Sequence, residues 1–154
     1  MMPAMNHWLM KSEPDEFSID ALKKVGREPW SGVRNYQARN FMKAMKVGDP
    51  ILFYHSSCAV PGVVGIAEVV SDLYPDPTQF KPKSDYYDPA SKPEEPRWWL
   101  VDVGFKRKLK RVITLEQLKA ESDALGEFAL LNRGNRLSVL PVTAAQYKHI
   151  LSLE

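Results

Sequence analysis

One α+β domain is the fold class this sequence predicts: a curved, mostly antiparallel sheet or small barrel with short helices packed around it. Three observations point there. Apolar runs of strand character recur between turn signals, at His7–Lys11, Ile51–His55, Gly62–Tyr74, Trp98–Leu109 and Leu137–Val142. The helical segments between them are short, and three begin with a Ser or Thr cap beside an apolar staple. The 154 residues show neither an internal repeat nor a change of composition, so positions 1–154 are expected to form a single domain.

In chain order, His7–Lys11 reads as the first strand, broken by Ser12-Glu13-Pro14-Asp15 because proline stops a ladder and the acids favour a turn. Ser18 caps a helix through Lys24, Phe17 staples onto Leu22, and Gly26 is placed to end it. Trp30-Ser31-Gly32 is loop chemistry. It leads into an amphipathic helix with Ala38, Phe41, Met42 and Met45 at core spacing. Gly48-Asp49-Pro50 turns the chain into the strand Ile51–His55. Gly62 and Gly65 predict a bend or bulge in the long valine-rich strand Gly62–Tyr74.

Pro75–Pro96 holds six of the 12 prolines, interleaved with Tyr86 and Tyr87, and reads as an ordered flap rather than a flexible linker. Alternation then puts Trp99, Val101, Val103 and Phe105 on one face of a strand, with Trp98, Leu100 and Asp102 on the other. Thr114 opens a helix with Gln117 in the capping-box position. Leu125–Leu131 is a weaker helical piece, and Arg133-Gly134-Asn135 is a turn. Thr143 and Gln146 repeat the cap for a last helix through Leu151.

Composition excludes several classes. The hydrophobic fraction of 44% and charged fraction of 26% belong to an ordinary globular domain, and no apolar run approaches the ~20 residues that span a bilayer. Met1–Met10 has neither a basic start nor an apolar stretch, so no secretory signal and no membrane partner are expected. The lone Cys58 fits a reducing compartment, so the expected location is intracellular: cytoplasmic in a bacterium, nuclear in a eukaryote. His and Cys lack metal-ligand spacing, and no metal or other cofactor is expected. Net charge is only +2, but Lys106, Arg107, Lys108, Lys110 and Arg111 form a basic run that is either a local basic surface or a solvated strand end.

The stretch Trp30–Tyr36 places a stacking surface, hydrogen-bonding groups and positive charge within one loop-to-helix transition, which suggests a pocket for a base or nucleotide. Beyond that local reading, the motifs WLMKSEP (8–14), WSGVRNYQARNFM (30–42), FYHS (53–56), YPD (74–76), YDP (87–89), VDV (101–103) and RLSV (136–139) occur in this order in one family. Over nearly its whole length the chain resembles the EVE domain family, including its thymocyte nuclear protein-like members. The resemblance implies a PUA-like β-barrel wrapped by helices, related in shape to YTH domains. It also implies a reader of modified bases in DNA or RNA, with nucleic acid as the partner and a monomer assumed.

Such a reader extracts a base from its stack, holds it between flat surfaces and hydrogen-bonds its edge. Trp30 is the first candidate for the stacking surface, with the closing of one sheet end as its structural alternative. Asn35 suits a base edge but stands where Asn is a preferred helix cap. Val33 and Tyr36 belong to the same entrance. Ser12 matches the KSEP position of the family, with a turn hydroxyl as its plainer role. Tyr54, His55 and Ser56 end a strand, and alternation sends Tyr54 and His55 to opposite faces. Tyr87 in the flap and Trp98 complete the base-pocket set. Lys11, Arg34, Arg39, Lys43, Arg133 and Arg136 are the candidates for backbone phosphates.

Two other functions compete. A hydrolase acting on a modified nucleotide or small amide would need a base touching a nucleophile, such as His55 with Ser56 or Lys11 with Glu13. The sequence has no nucleophile elbow, paired carboxylates or Gly-rich phosphate loop, so no catalytic residue is assigned and the chain is read as a non-enzyme. A protein-interaction domain would use the same aromatics.

Overall fold

A computed structural model describes residues 6–154; of the Met1–Met10 reading, the part before residue 6 lies outside the described residues. Eight strands form among them: β1 (His7–Ser12), β2 (Arg27–Pro29), β3 (Pro50–His55), β4 (Gly62–Val69), β5 (Tyr74–Pro75), β6 (Trp99–Leu100), β7 (Asp102–Thr114) and β8 (Val139–Val142). The helices are α1 (Ile19–Val25), α2 (Tyr36–Lys43), α3 (Leu115–Ala120), α4 (Ser122–Leu125) and α5 (Ala144–Ser152). Six strands make one curled sheet in the order β2-β7-β4-β3-β1-β8, and β5 with β6 makes a separate ribbon. Only β1 and β3 run parallel in that sheet. The result is half of a barrel: its outer strands β2 and β8 carry Pro29 and Pro141, whose missing N–H groups suit an edge.

The parallel pair is buried on both faces, so β1 and β3 read as continuous apolar runs rather than alternating ones. Trp8, Met10, Ile51 and Phe53 face one core with Ile19 and Leu22 of α1, Ala38 and Met42 of α2, and Trp30. Leu9, Leu52 and Tyr54 face the other, with Leu118, Leu125, Phe128 and Ile150. Each cap expected at a helix start is in place: Ser18, Asn35, Thr114 and Thr143 accept from Ala21, Ala38, Gln117 and Gln146 N–H. The reciprocal capping box closes only at Thr143; the Gln117 side chain instead accepts from Arg111 Nη1 at 3.2 Å.

Two strand expectations change. The run Gly62–Tyr74 ends at Val69, with register shifts at Val63/Gly65 and Ile66/Ala67, and Tyr74–Pro75 pairs with Trp99–Leu100 instead. The strand expected over Trp98–Leu109 is interrupted at Val101, which reverses the burial of its tryptophans: Trp98 is 5% exposed, whereas Trp99 is only partly buried. The basic run on β7 is largely neutralised, by Glu68 for Lys106, Glu154 for Arg107 and Asp20 for Lys108.

The flap over 75–96 is ordered by buried polar bonds. Gln79 is fully buried and makes four side-chain bonds: its Nε2 donates to the Asp76 and Trp98 carbonyls, and its Oε1 accepts from Ser91 Oγ and Trp98 N. Every hydrogen-bonding site of that amide is used, which fixes both ends of the flap against each other.

Candidate nucleic-acid interface

Three strand ends meet at one rim of the sheet. Ser56 N–H donates to the Ser12 carbonyl at 3.0 Å and Lys11 N–H to that of Ser138 at 2.8 Å, so the ends of β1 and β3 and the approach to β8 lie side by side. Beside them opens a basin of about 700 Å³, within the ~300–1,000 Å³ of small-molecule sites. Its walls are the turn Lys11–Phe17, the loop Glu28–Arg34, Ser56 and Ser57, Tyr86 of the flap, and Asn135, Arg136 and Ser138. Ser57 holds φ at +52°, a left-handed conformation uncommon outside glycine.

Trp30 forms the floor. It is 9% exposed, with Phe53 and Phe17 set edge-on at centroid distances of 5.7 and 6.4 Å. The indole N–H groups of Trp8, Trp98 and Trp99 donate to Asp49, Asp88 and the Pro96 carbonyl. Among the described residues, that of Trp30 has no partner, yet it is not sealed from solvent. A tryptophan N–H that borders a basin without a protein acceptor is a donor open to solvent or to a ligand.

Asp76 ties the loop to the flap. It is 1% exposed, and one carboxylate oxygen accepts from Gly32 N and Arg34 Nη1 while the other accepts from Thr78 N and Oγ1. Burial opposes its ionisation, but the hydrogen bonds from Thr78, Gly32 and Arg34 outweigh that and hold its pKa below the ordinary value. Arg34 also donates to Thr78 Oγ1 and, twice, to the Tyr86 carbonyl. The Tyr86 ring lies so close to Gly32 (φ +88°) that a Cβ there would come within 2.7 Å of it.

Of the base-pocket candidates, the structure brings Trp30, Ser12, Val33 and Ser56 together in the basin; of the phosphate candidates, Lys11, Arg34 and Arg136. Ser12 Oγ donates to the Phe17 carbonyl at 2.6 Å, which leaves it only acceptor capacity toward a ligand. The other candidates lie elsewhere, each for a physical reason. Asn35 points its Oδ1 at Ala38 N–H, so the cap takes the side chain. Tyr36 leans away onto Trp98, and Trp98 is buried with its indole on Asp88. Tyr54 turns into the second core, and burial raises its pKa to about 12. His55 Nε2 accepts from Ile19 N–H at 3.1 Å at the start of α1, and burial lowers its pKa. Tyr87 is exposed and does not line the basin; its neighbour Tyr86 does.

Arg34 is not free for phosphate, being paired with Asp76. Arg39 and Lys43 lie on the outer face of α2 over Tyr36 and Trp99, and Arg133 is exposed beside the basin turn without lining it. Sequence reasoning missed Phe17, Asn135, Ser57 and the carboxylates Glu16 and Glu28, and weighed Glu13 only as a catalytic partner of Lys11. Asn135 was legible as a turn residue, and its Oδ1 does accept from Leu137 N–H. Lys11, whose pKa is lowered by burial, and Arg136 form no salt bridge among the described residues. The lining is therefore mixed in charge, with free cations on the β1 and β8 side.

The sequence profile of the EVE domain matches residues 6–153. The chain belongs to the EVE domain family. Thymocyte nuclear protein 1 of Mus musculus is 47% identical over 97% of this chain and 74% of its own length. Among solved structures, this EVE domain is similar to a Pseudomonas syringae protein, at 50% identity and a TM-score of 0.92 over 96% of this chain and 98% of that one. It is equally similar in shape to human THYN1 protein solved in complex with 5-methylcytosine-containing DNA, at 43% identity and a TM-score of 0.92 over 96% of each chain. Among the described residues, no helix is long and apolar enough to cross a membrane, and no three His, Cys, Asp or Glu side chains gather to hold a metal ion.

Proposed function

We propose that this EVE domain reads a modified base in nucleic acid, drawing the base out of its stack into the basin above Trp30. The observation that carries the reading is the Trp30 indole: a largely buried ring lining the basin at the strand ends, whose N–H has no partner among the described residues, with Phe17 and Tyr86 on the same lining. Flat walls suit a nucleobase, and apolar neighbours such as Val33 suit an added methyl group. Ser12 Oγ and the Asn135 amide nitrogen offer an acceptor and a donor to the base edge. Lys11 and Arg136 meet the backbone phosphates, which position the strand without specifying its sequence. The human relative's 5-methylcytosine-containing DNA makes that modification the first probe.

Binding without turnover is part of the same proposal. His55 Nε2 is occupied by Ile19 N–H rather than Ser56, and Lys11 forms no salt bridge to Glu13 among the described residues, so neither pair has the contact of a nucleophile with its base. The test compares matched oligonucleotides carrying 5-methylcytosine, a panel of other modified bases, or the parent base. Wild-type protein favours a modified base, and Tyr86→Ala lowers affinity for it about 5- to 150-fold, the equivalent of ~1–3 kcal/mol of stacking. Equal affinity for every modified base and its parent refutes the reading. Trp30→Ala is a poor probe, because losing a buried Trp costs about 3–5 kcal/mol of stability; Trp30→Phe keeps the core while removing the N–H.

A further inference from the structure

The outer face of α2 carries chemistry that the basin leaves unused. Tyr36 opens the helix and is 51% exposed, and its ring stacks on Trp98 with centroids 4.9 Å apart and planes 24° from parallel. One turn on, the Arg39 guanidinium lies 4.8 Å from the Tyr36 centroid; a further turn on, Lys43 Nζ lies 5.5 Å from that of Trp99. No Asp or Glu occurs between Trp30 and Val47, and neither Arg39 nor Lys43 forms a salt bridge among the described residues. Arg39 uses three N–H groups, on the Arg97 carbonyl and Asn40 Oδ1. A guanidinium has five, so two remain for a ligand.

This face is continuous with the basin. Arg34 lines the basin, and its guanidinium also lies 5.3 Å from the Trp98 ring on which Tyr36 stacks. A merely solvated helix face would account for the cations. It would not account for a half-exposed aromatic ring held flat by a buried one, with free cations along the same line.

We infer that this face is the track for the nucleotides flanking the extracted base: a neighbouring base stacks on Tyr36, and Arg39 and Lys43 meet the adjoining phosphates. The inference rests on the base-reading proposal above. The occupant is single-stranded or locally unpaired nucleic acid, because an exposed ring can stack only a base whose own stack is open. Stacking on an aromatic tolerates any base, and groups that meet phosphates read no sequence, so the track adds affinity without changing which base is read.

The experiment uses two probes, 5-methyl-deoxycytidine monophosphate and a single-stranded oligonucleotide with that nucleotide at its centre, each beside its unmodified counterpart. Tyr36→Leu keeps Trp98 covered while removing the flat ring. We expect it to weaken oligonucleotide binding at least fivefold, with mononucleotide affinity and the modified-to-parent ratio unchanged. Replacing Arg39 and Lys43 by Gln should reduce the slope of log K against log salt by about 1.4, or ~0.7 for each single-strand phosphate that the variant no longer neutralises. Unchanged oligonucleotide binding by Tyr36→Leu, with discrimination intact in the wild type, overturns the track alone. Equal loss for both probes also overturns it. A wild-type protein that does not discriminate the modified base overturns the base-reading proposal and this inference with it.

Discussion

At the scale of single residues, the site depends on a glycine as much as on its aromatics. Gly32 holds φ at +88°, and the Tyr86 ring occupies the space a side chain would take. Gly26 has a similar φ of +83° but open space around it. Either residue replaced by Ala incurs left-handed backbone strain of roughly 1–2 kcal/mol, so chemical denaturation should report similar losses for the two variants. Only Gly32→Ala pushes the Tyr86 ring aside, so only that variant should lose oligonucleotide affinity. Equal binding by the two variants would show that Tyr86 is not a wall of the site. Trp30-Ser31-Gly32 was legible as loop chemistry, and Arg34 as a polar neighbour of it. Asp76, the partner of Gly32 and Arg34, lies more than 40 positions on in sequence, and no local pattern announces a contact of that kind.

At the scale of elements, the flap 75–96 is a structural partner of the site rather than a loose cover. Gln79 makes four bonds while fully buried, so Gln79→Leu leaves two carbonyls, one hydroxyl and one amide N–H without it. Each buried group left unpaired costs about 1–3 kcal/mol. The expected result is local: amide exchange speeds up across 76–98 and oligonucleotide affinity falls, while β1 and β3 keep their protection. Uniform loss of protection across the sheet would mean that the flap is integral to the fold as a whole.

The helix caps at Ser18, Asn35, Thr114 and Thr143 were legible because a cap is a local event. The break of β6 from β7 was not, because it is imposed by pairing with β5 more than twenty residues earlier. That break exchanged the expected burial of Trp98 and Trp99. Tyr36 was expected at the pocket entrance and Arg39 and Lys43 at backbone phosphates of the same site, but the turn of α2 carries all three to a face beside the basin rather than into it.

At the scale of the whole molecule, acid stability has two separate windows. His55 must be neutral to accept from Ile19 N–H, and burial lowers its pKa below 6.5. Between the two pKa values the unfolded chain binds the proton and the folded chain does not. Its contribution is therefore complete above pH 6.5 and is lost as pH falls through the folded value. Asp76, also depressed, loses its contribution only below its ordinary value of 3.8. The melting temperature should thus fall in two stages on acidification, and His55→Gln, which keeps an acceptor, should abolish the first stage alone. A first stage that persists in His55→Gln would assign it to another group.

The curled sheet itself was legible from the spacing of apolar runs and turn residues. Whether it closes was not, because that depends on how strands distant in sequence pair at the edges.

The central claim is that a modified base comes to rest against Trp30. The indole N–H resonances of the four tryptophans in an ¹⁵N-labelled sample test it most directly. Three of those groups are bonded within the protein, and among the described residues the Trp30 group has no such bond. Titration with a 5-methylcytosine oligonucleotide should move the Trp30 resonance, identified by its absence in Trp30→Phe, well beyond the shift caused by the unmodified oligonucleotide. A Trp30 resonance that stays in place while the protein binds the modified strand would contradict the account.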